Sequence, residues 1–151
     1  SEDLRGQARA LVGLGRVSTD EGEHERAEEA NLRALELFRA IGDRFGEVVT
    51  LDYLGVVHER LGRYARAADL HRQALELSRE IDSRGGEADA LDNLGVACAR
   101  LGRHAEARDH HERALELYRR FGYRRGEARA LNNLAEIAAT MGDPGRAVHL
   151  H

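Results

Sequence analysis

The chain reads GEVVTLDYLGVVHERL from Gly46 to Leu61, GEADALDNLGVACARL from Gly86 to Leu101 and GEARALNNLAEIAATM from Gly126 to Met141. Each stretch begins 40 residues after the one before, so the sequence is first of all a repeat. A more divergent copy starts at Gly6, where GQARALVGLGRVSTDE holds Leu11, Leu14 and Gly15 in register with Leu51, Leu54 and Gly55. The halves that follow also match: RAEEANLRALELFRAIGDR from Arg26, RAADLHRQALELSREIDSR from Arg66 and EARDHHERALELYRRFGYR from Glu106. The fourth breaks off at Gly145–His151.

Within a copy, apolar residues recur every three or four positions, as in Leu51, Leu54 and Val57, then Ala67, Leu70, Ala74, Leu75 and Leu77. That is the period of a helix buried along one stripe, so each unit is two amphipathic helices. Helices are expected near 4–19, 24–41, 44–60, 64–80, 84–100, 104–121, 124–140 and 144–151. Gly22, Gly62, Gly102 and Gly142 close the first helices and Gly42 and Gly122 the second, with Asp82 standing in for glycine in the second copy. In Asp143-Pro144 the aspartate is expected to cap a last helix and the proline to open it.

The 151 residues are 33% charged and 42% hydrophobic, with no apolar run of membrane-spanning length and no signal peptide, so a cytoplasmic protein is expected. The single cysteine, Cys98, cannot form a disulfide within the chain and is expected to be a small buried residue. A net charge of −4 gives no general affinity for polyanions, and the 23 basic residues, all arginine, are outnumbered by 27 acids.

The arrangement resembles the tetratricopeptide repeat. The residues that carry the likeness are Leu91, Leu94, Gly95, Cys98, Gly102, Ala107 and Ala114, and again Leu51, Leu54, Gly55, His58, Gly62, Ala67 and Ala74. The period is longer than the family's usual one, His71 and His111 stand where phenylalanine is customary, and the closing proline is missing. The longer period and the Leu-Asn-Asn-Leu-Ala string at 131–135 are similar to repeats of kinesin light chains, of polarity adaptors, and of bacterial multidomain regulators. The resemblance implies an all-α, right-handed solenoid of antiparallel helix pairs, about 3.5 to 4 repeats, at 6–45, 46–85, 86–125 and a truncated 126–151. Residues 1–151 are then a single array, expected to be a fragment of a longer protein. The small residues Gly15, Gly55, Gly95 and Ala135, with Ala27, Ala67, Ala107 and Ala147, are expected where paired backbones approach closely.

First helices should line a groove and second helices the outer wall. The groove stripe is Arg9 and Arg16; then Val49, Asp52, Tyr53, Val56 and Arg60; then Asp89, Asp92, Asn93, Val96 and Arg100; then Arg129, Asn132, Asn133 and Glu136. Asparagine offers a donor and an acceptor, so Asn93, Asn132 and Asn133 suit the backbone of an extended peptide, and the resemblance implies groove asparagines used in this way. The cations available to a carboxylate are Arg9, Arg16 and Arg129, which do not lie in adjacent copies.

The expected function is a protein–protein interaction module that takes a peptide or protein segment in this groove, as the sensor or scaffold part of a bacterial regulator. The alternative is homo-oligomerisation through an uncapped terminal repeat. Nucleic-acid binding through Arg119, Arg120, Arg124 and Arg125 ranks below both. His110-His111 lack zinc spacing and His71 and His111 recur at a packing position, so no metal or other cofactor is expected. Carboxylates are expected to pair with arginines on their own helix, as in Glu76–Arg79 and Glu112–Arg113–Glu116–Arg119–Arg120, and no catalytic motif marks an enzyme.

Overall fold

In the computed structural model, residues 2–142 are described. They form α1 (Glu2–Asp20), α2 (His24–Ile41), α3 (Arg44–Arg60), α4 (Tyr64–Glu80), α5 (Arg84–Arg100), α6 (His104–Phe121) and α7 (Arg124–Thr140), with no strand among them. The expected helix at 144–151, with its Asp143-Pro144 start, Ala147 and the terminal histidines, lies outside the described residues.

The helices form an α-solenoid: α1 pairs with α2, α3 with α4 and α5 with α6, while each second helix also packs on the next first helix. First helices touch along the array, α1 on α3, α3 on α5 and α5 on α7. One apolar core runs through the stack from Leu35 to Ile137, with a smaller cluster of Ala8, Ala34 and Phe38 in the first unit. The pattern of threes and fours therefore buries two faces of an inner helix, one against its own partner and one against the preceding unit.

Each of the seven described helices is followed by a residue with positive φ, six of them glycines and the seventh Asp82 at φ 58°. At Gly42 the motif is complete, with its N–H bonded to the Arg39 carbonyl and the Asp43 N–H to the Phe38 carbonyl at 2.9 Å. Asp43 then starts α3 by accepting from the Gly46 N–H at 2.9 Å, and Ser83 does the same for Gly86 at 3.2 Å. In the third copy Tyr123 holds that place and gives no side-chain cap.

Two expectations are corrected. The small first-helix residues do not meet a backbone: a Cβ on Gly55 would come within 2.4 Å of the His71 ring, and one on Gly95 within 2.6 Å of His111. The glycine admits an imidazole that stands in phenylalanine's place. Second, Arg79 and Arg119 pair across helices, with Glu87 at 3.1 Å and Glu127 at 3.0 Å, repeating Arg39–Glu47 at 3.1 Å. These pairs tie each second helix to the next first helix, and among the expected same-helix pairs Arg120–Glu116 forms, at 3.3 Å.

Candidate functional site

The starts of α3, α5 and α7 and the end of α6 enclose a hollow of about 980 Å³. Of the expected groove residues it gathers Val49, Asp52, Tyr53, Val56, Asp89, Asn93 and Arg129. Phe45, Phe121 and Tyr123 complete its apolar wall and are 59%, 43% and 48% exposed. Arg9 borders an adjoining recess of about 220 Å³ that shares Phe45 and Val49 with the first.

The remaining expected residues stand apart from the hollow. Arg16, Arg60, Arg100, Asn132 and Glu136 are exposed, and Val96 and Asn133 are half-buried. Arg60 and Arg100 lie near Glu59, whose pKa is raised by burial, an effect that the charges of His71, Arg100 and Arg60 reduce.

Asp92 corrects the expected stripe outright: its residue exposure is 1% and it is a structural anchor, not a groove surface. It accepts from His111 Nδ1 at 2.7 Å, Arg129 Nε at 2.9 Å and Asn133 Nδ2 at 3.2 Å. Burial alone would raise its pKa, but the hydrogen bond and charge of His111, with Arg129 and Asn133, hold it below the ordinary carboxylate value. The Tyr118 hydroxyl donates to Asp89 Oδ1 at 2.6 Å and accepts from Arg129 Nη2 at 2.8 Å. Burial and Asp89 push the Tyr118 pKa far up; burial opposes the Arg129 charge, yet Tyr118 and Asp92 more than offset it. Arg129 and Asn133 thus serve a network joining α5, α6 and α7.

Asp52 is half-buried and accepts from His71 Nδ1 at 2.9 Å. Its pKa is raised by burial, an effect that His71 and Asn93 oppose and Asp89 reinforces. His71 Nε2 is buried with no hydrogen-bond partner.

The expected cation set also needs correction, because Arg84 and Arg125 border the hollow in addition to Arg129. Arg84 pairs with Asp82 at 3.2 Å and lies over the Phe121 ring at 5.9 Å. The aromatic wall left a trace in the sequence: Tyr123 occupies a cap position where the other copies have Asp43 and Ser83. Among the described residues no group of three or more histidine, cysteine or acidic side chains is placed to hold a metal ion. Cys98 is buried as expected, with Sγ 3.9 Å from Glu106. Of the arginines weighed for nucleic acid, Arg119 and Arg120 are paired with Glu127 and Glu116.

A stack of helix hairpins with an apolar, mixed-charge hollow along its first helices belongs to the class of repeat scaffolds that present a surface for docking. The chain is a member of the tetratricopeptide repeat family, whose model matches residues 6–80 and 86–151. No curated protein matches it in sequence. Solved structures resemble it closely in fold. The apo form of RapI superposes with a TM-score of 0.89 at 19% identity, over 96% of this chain and 53% of that one. BtubC (BKLC) from P. vanneervenii gives 0.86 at 23%, over 98% and 61%. A Rap protein complexed with Competence and Sporulation Factor gives 0.92 at 18%, over 99% and 42%. The chain spans about half the length of these structures or somewhat more or less.

Proposed function

We propose that this protein docks a peptide or protein segment in the hollow at the starts of α3, α5 and α7, as the scaffold or sensor part of a bacterial, cytoplasmic regulator. One observation carries the reading: Phe45, Phe121 and Tyr123 are left exposed around a hollow of about 980 Å³, although burial would stabilise them. The family is one of protein-interaction modules, and a Rap protein of the same fold was solved complexed with Competence and Sporulation Factor. A random heptapeptide display library selected on the chain tests it. Enriched peptides are expected to bind at least tenfold more weakly to Tyr53→Ala and to be unaffected by Arg33→Ala on α2. Equal binding to both variants overturns the reading.

Homotypic assembly is a second reading that a separate observation favours. Leu14 and Val17 on α1 are 44% and 49% exposed, whereas their counterparts Leu54, Leu94, Leu134, Val57, Ala97 and Ile137 are all at or below 4%. A Cβ on Gly6 meets nothing within 4 Å, while its counterparts Gly46 and Gly126 are covered by the Phe38 and Tyr118 rings. In the other units the second helix of the preceding repeat covers that face. Light scattering against concentration should show a dimer that Leu14→Glu dissolves; a monomer at every concentration rejects the assembly.

A further inference from the structure

The repeat shows which cations beside the hollow have lost a partner. At the start of α3, Arg44 pairs with Glu80 at the end of α4, 2.7 Å away. Forty residues on, Arg84 takes the place of Arg44 and Arg120 that of Glu80, so the acid of the pair is exchanged for a second cation. Arg84 lies instead over the Phe121 ring at 5.9 Å and pairs at 3.2 Å with Asp82, whose side chain is 81% exposed. An ion pair so open to water contributes little. Arg125 has no carboxylate partner among the described residues. The acids in the first turns of α5 and α7, Glu87 and Glu127, are held by Arg79 at 3.1 Å and Arg119 at 3.0 Å.

The carboxylates inside the hollow do not compensate. Asp52 accepts from His71 at 2.9 Å, and Asp89 accepts from Tyr118 at 2.6 Å and Arg129 at 3.2 Å. Arg129 is itself shared between Asp89 and Asp92. The side chains lining the hollow are thus two acids, both partnered, against three arginines, Arg84, Arg125 and Arg129. The unspent positive charge lies with Arg84 and Arg125, and there is room beside it. Gly85 stands where the neighbouring copies have Phe45 and Arg125, and a Cβ on it would meet nothing closer than the Tyr123 hydroxyl at 3.7 Å. The Phe121 and Tyr123 rings, 6.4 Å apart, stand behind that space.

We propose that the edge of the hollow at Gly85 receives the carboxylate of an aspartate or glutamate side chain in the docked segment, with Arg84 and Arg125 as its counter-ions. The ligand's acid restores to Arg84 the kind of partner that Glu80 gives Arg44. An apolar side chain next to it in the segment lies against Phe121 and Tyr123. A polyanion such as nucleic acid fits less well, because the chain carries a net charge of −4 and Arg119 and Arg120 are paired. The inference rests on the docking function proposed above and names the charge that the hollow selects.

The test uses N-acetyl-Ala-Leu-Glu-Leu-Ala-amide, its glutamine counterpart, which keeps the shape and removes the charge, and its arginine counterpart. Each is titrated into the chain and followed by two-dimensional NMR at the backbone amides of Gly85 and Gly126. The glutamate peptide is expected to bind at least fivefold more tightly than the glutamine peptide. Arg84→Gln combined with Arg125→Gln is expected to bring that ratio near one with circular dichroism unchanged, whereas Arg124→Gln, which removes a charge beside the hollow but not in it, leaves the ratio as it was. Equal affinity for the glutamate and glutamine peptides, a ratio that survives the double substitution or falls equally with Arg124→Gln, or preference for the arginine peptide overturns the acid site while leaving docking in the hollow intact. A single-stranded thymidine decamer bound more tightly than the glutamate peptide, and lost with the double substitution, assigns the two arginines to phosphates and overturns it as well. Absence of any shift at hollow residues with all three peptides, in a folded chain, overturns the docking reading and the inference with it.

Discussion

Asp52 and Asp92 occupy the same place in two successive copies, each beside a histidine, yet their environments push them in opposite directions. Burial raises both and the neighbouring histidine lowers both; Arg129 adds to the lowering at Asp92, whereas Asp89 adds to the raising at Asp52. Asp92→Ala leaves Arg129 and the buried His111 without their acceptor and should cost about 3 kcal/mol in chemical denaturation. Asp52→Asn keeps an acceptor for His71 and removes a desolvated charge, so its melting temperature at pH 7 should equal or exceed that of the parent. The pH dependence follows the same signs. The Asp92 pKa is depressed by folding, so its contribution is present above the unfolded value of 3.8 and is lost as pH falls through the folded value. The Asp52 pKa is raised, so its contribution is full below 3.8 and is lost as pH rises through the folded value. Stability measured against pH should therefore lose its steepest acid limb in Asp92→Asn and should fall less between mildly acidic and neutral pH in Asp52→Asn.

At the scale of the helix and its turn, the repeat sets one residue against another across a pair. Gly55→Ala places a Cβ against the His71 ring and should cost about 1–3 kcal/mol through overpacking. Combined with His71→Ala, the same change should cost less than the sum of the two single substitutions, as a double-mutant cycle would show. Asp82 holds a left-handed conformation that glycine holds at the other six turns. Asp82→Gly should thus stabilise by about 0.5 kcal/mol, the relief of left-handed strain being partly offset by unfolded-chain entropy. Its exposed pair with Arg84 adds little to that balance. A lower melting temperature for Asp82→Gly would show that the pair outweighs the backbone. Helix positions, turn glycines and the small residues at 55 and 95 were all legible in the sequence, because each follows from local chain geometry. What filled the space over those glycines was not legible, since periodicity reports that a residue is buried and not what it is buried against.

Across the molecule, each unit is stabilised by its neighbours, and α1 has no preceding second helix on it among the described residues. Native-state hydrogen exchange should therefore be slowest in α4 and α5, covered on both sides, and fastest in α1. Uniform protection through all seven helices would mean that the array unfolds as one unit. The hollow belongs to this scale as well. Seven of the expected groove residues meet there, because the first helices present one face at a constant register. Phe45, Tyr118, Phe121 and Tyr123 were missed because they come from helix ends and from α6, which a stripe drawn along first helices does not include.

The forty-residue recurrence by itself determined the helices, their turns, the pairing into hairpins and the family, because these depend on spacing along the chain. Which carboxylate is buried and which arginine it holds were decided by the stacking of units. Side chains separated by 37 to 41 residues meet there, and their charges are balanced or left unbalanced only in the packed array.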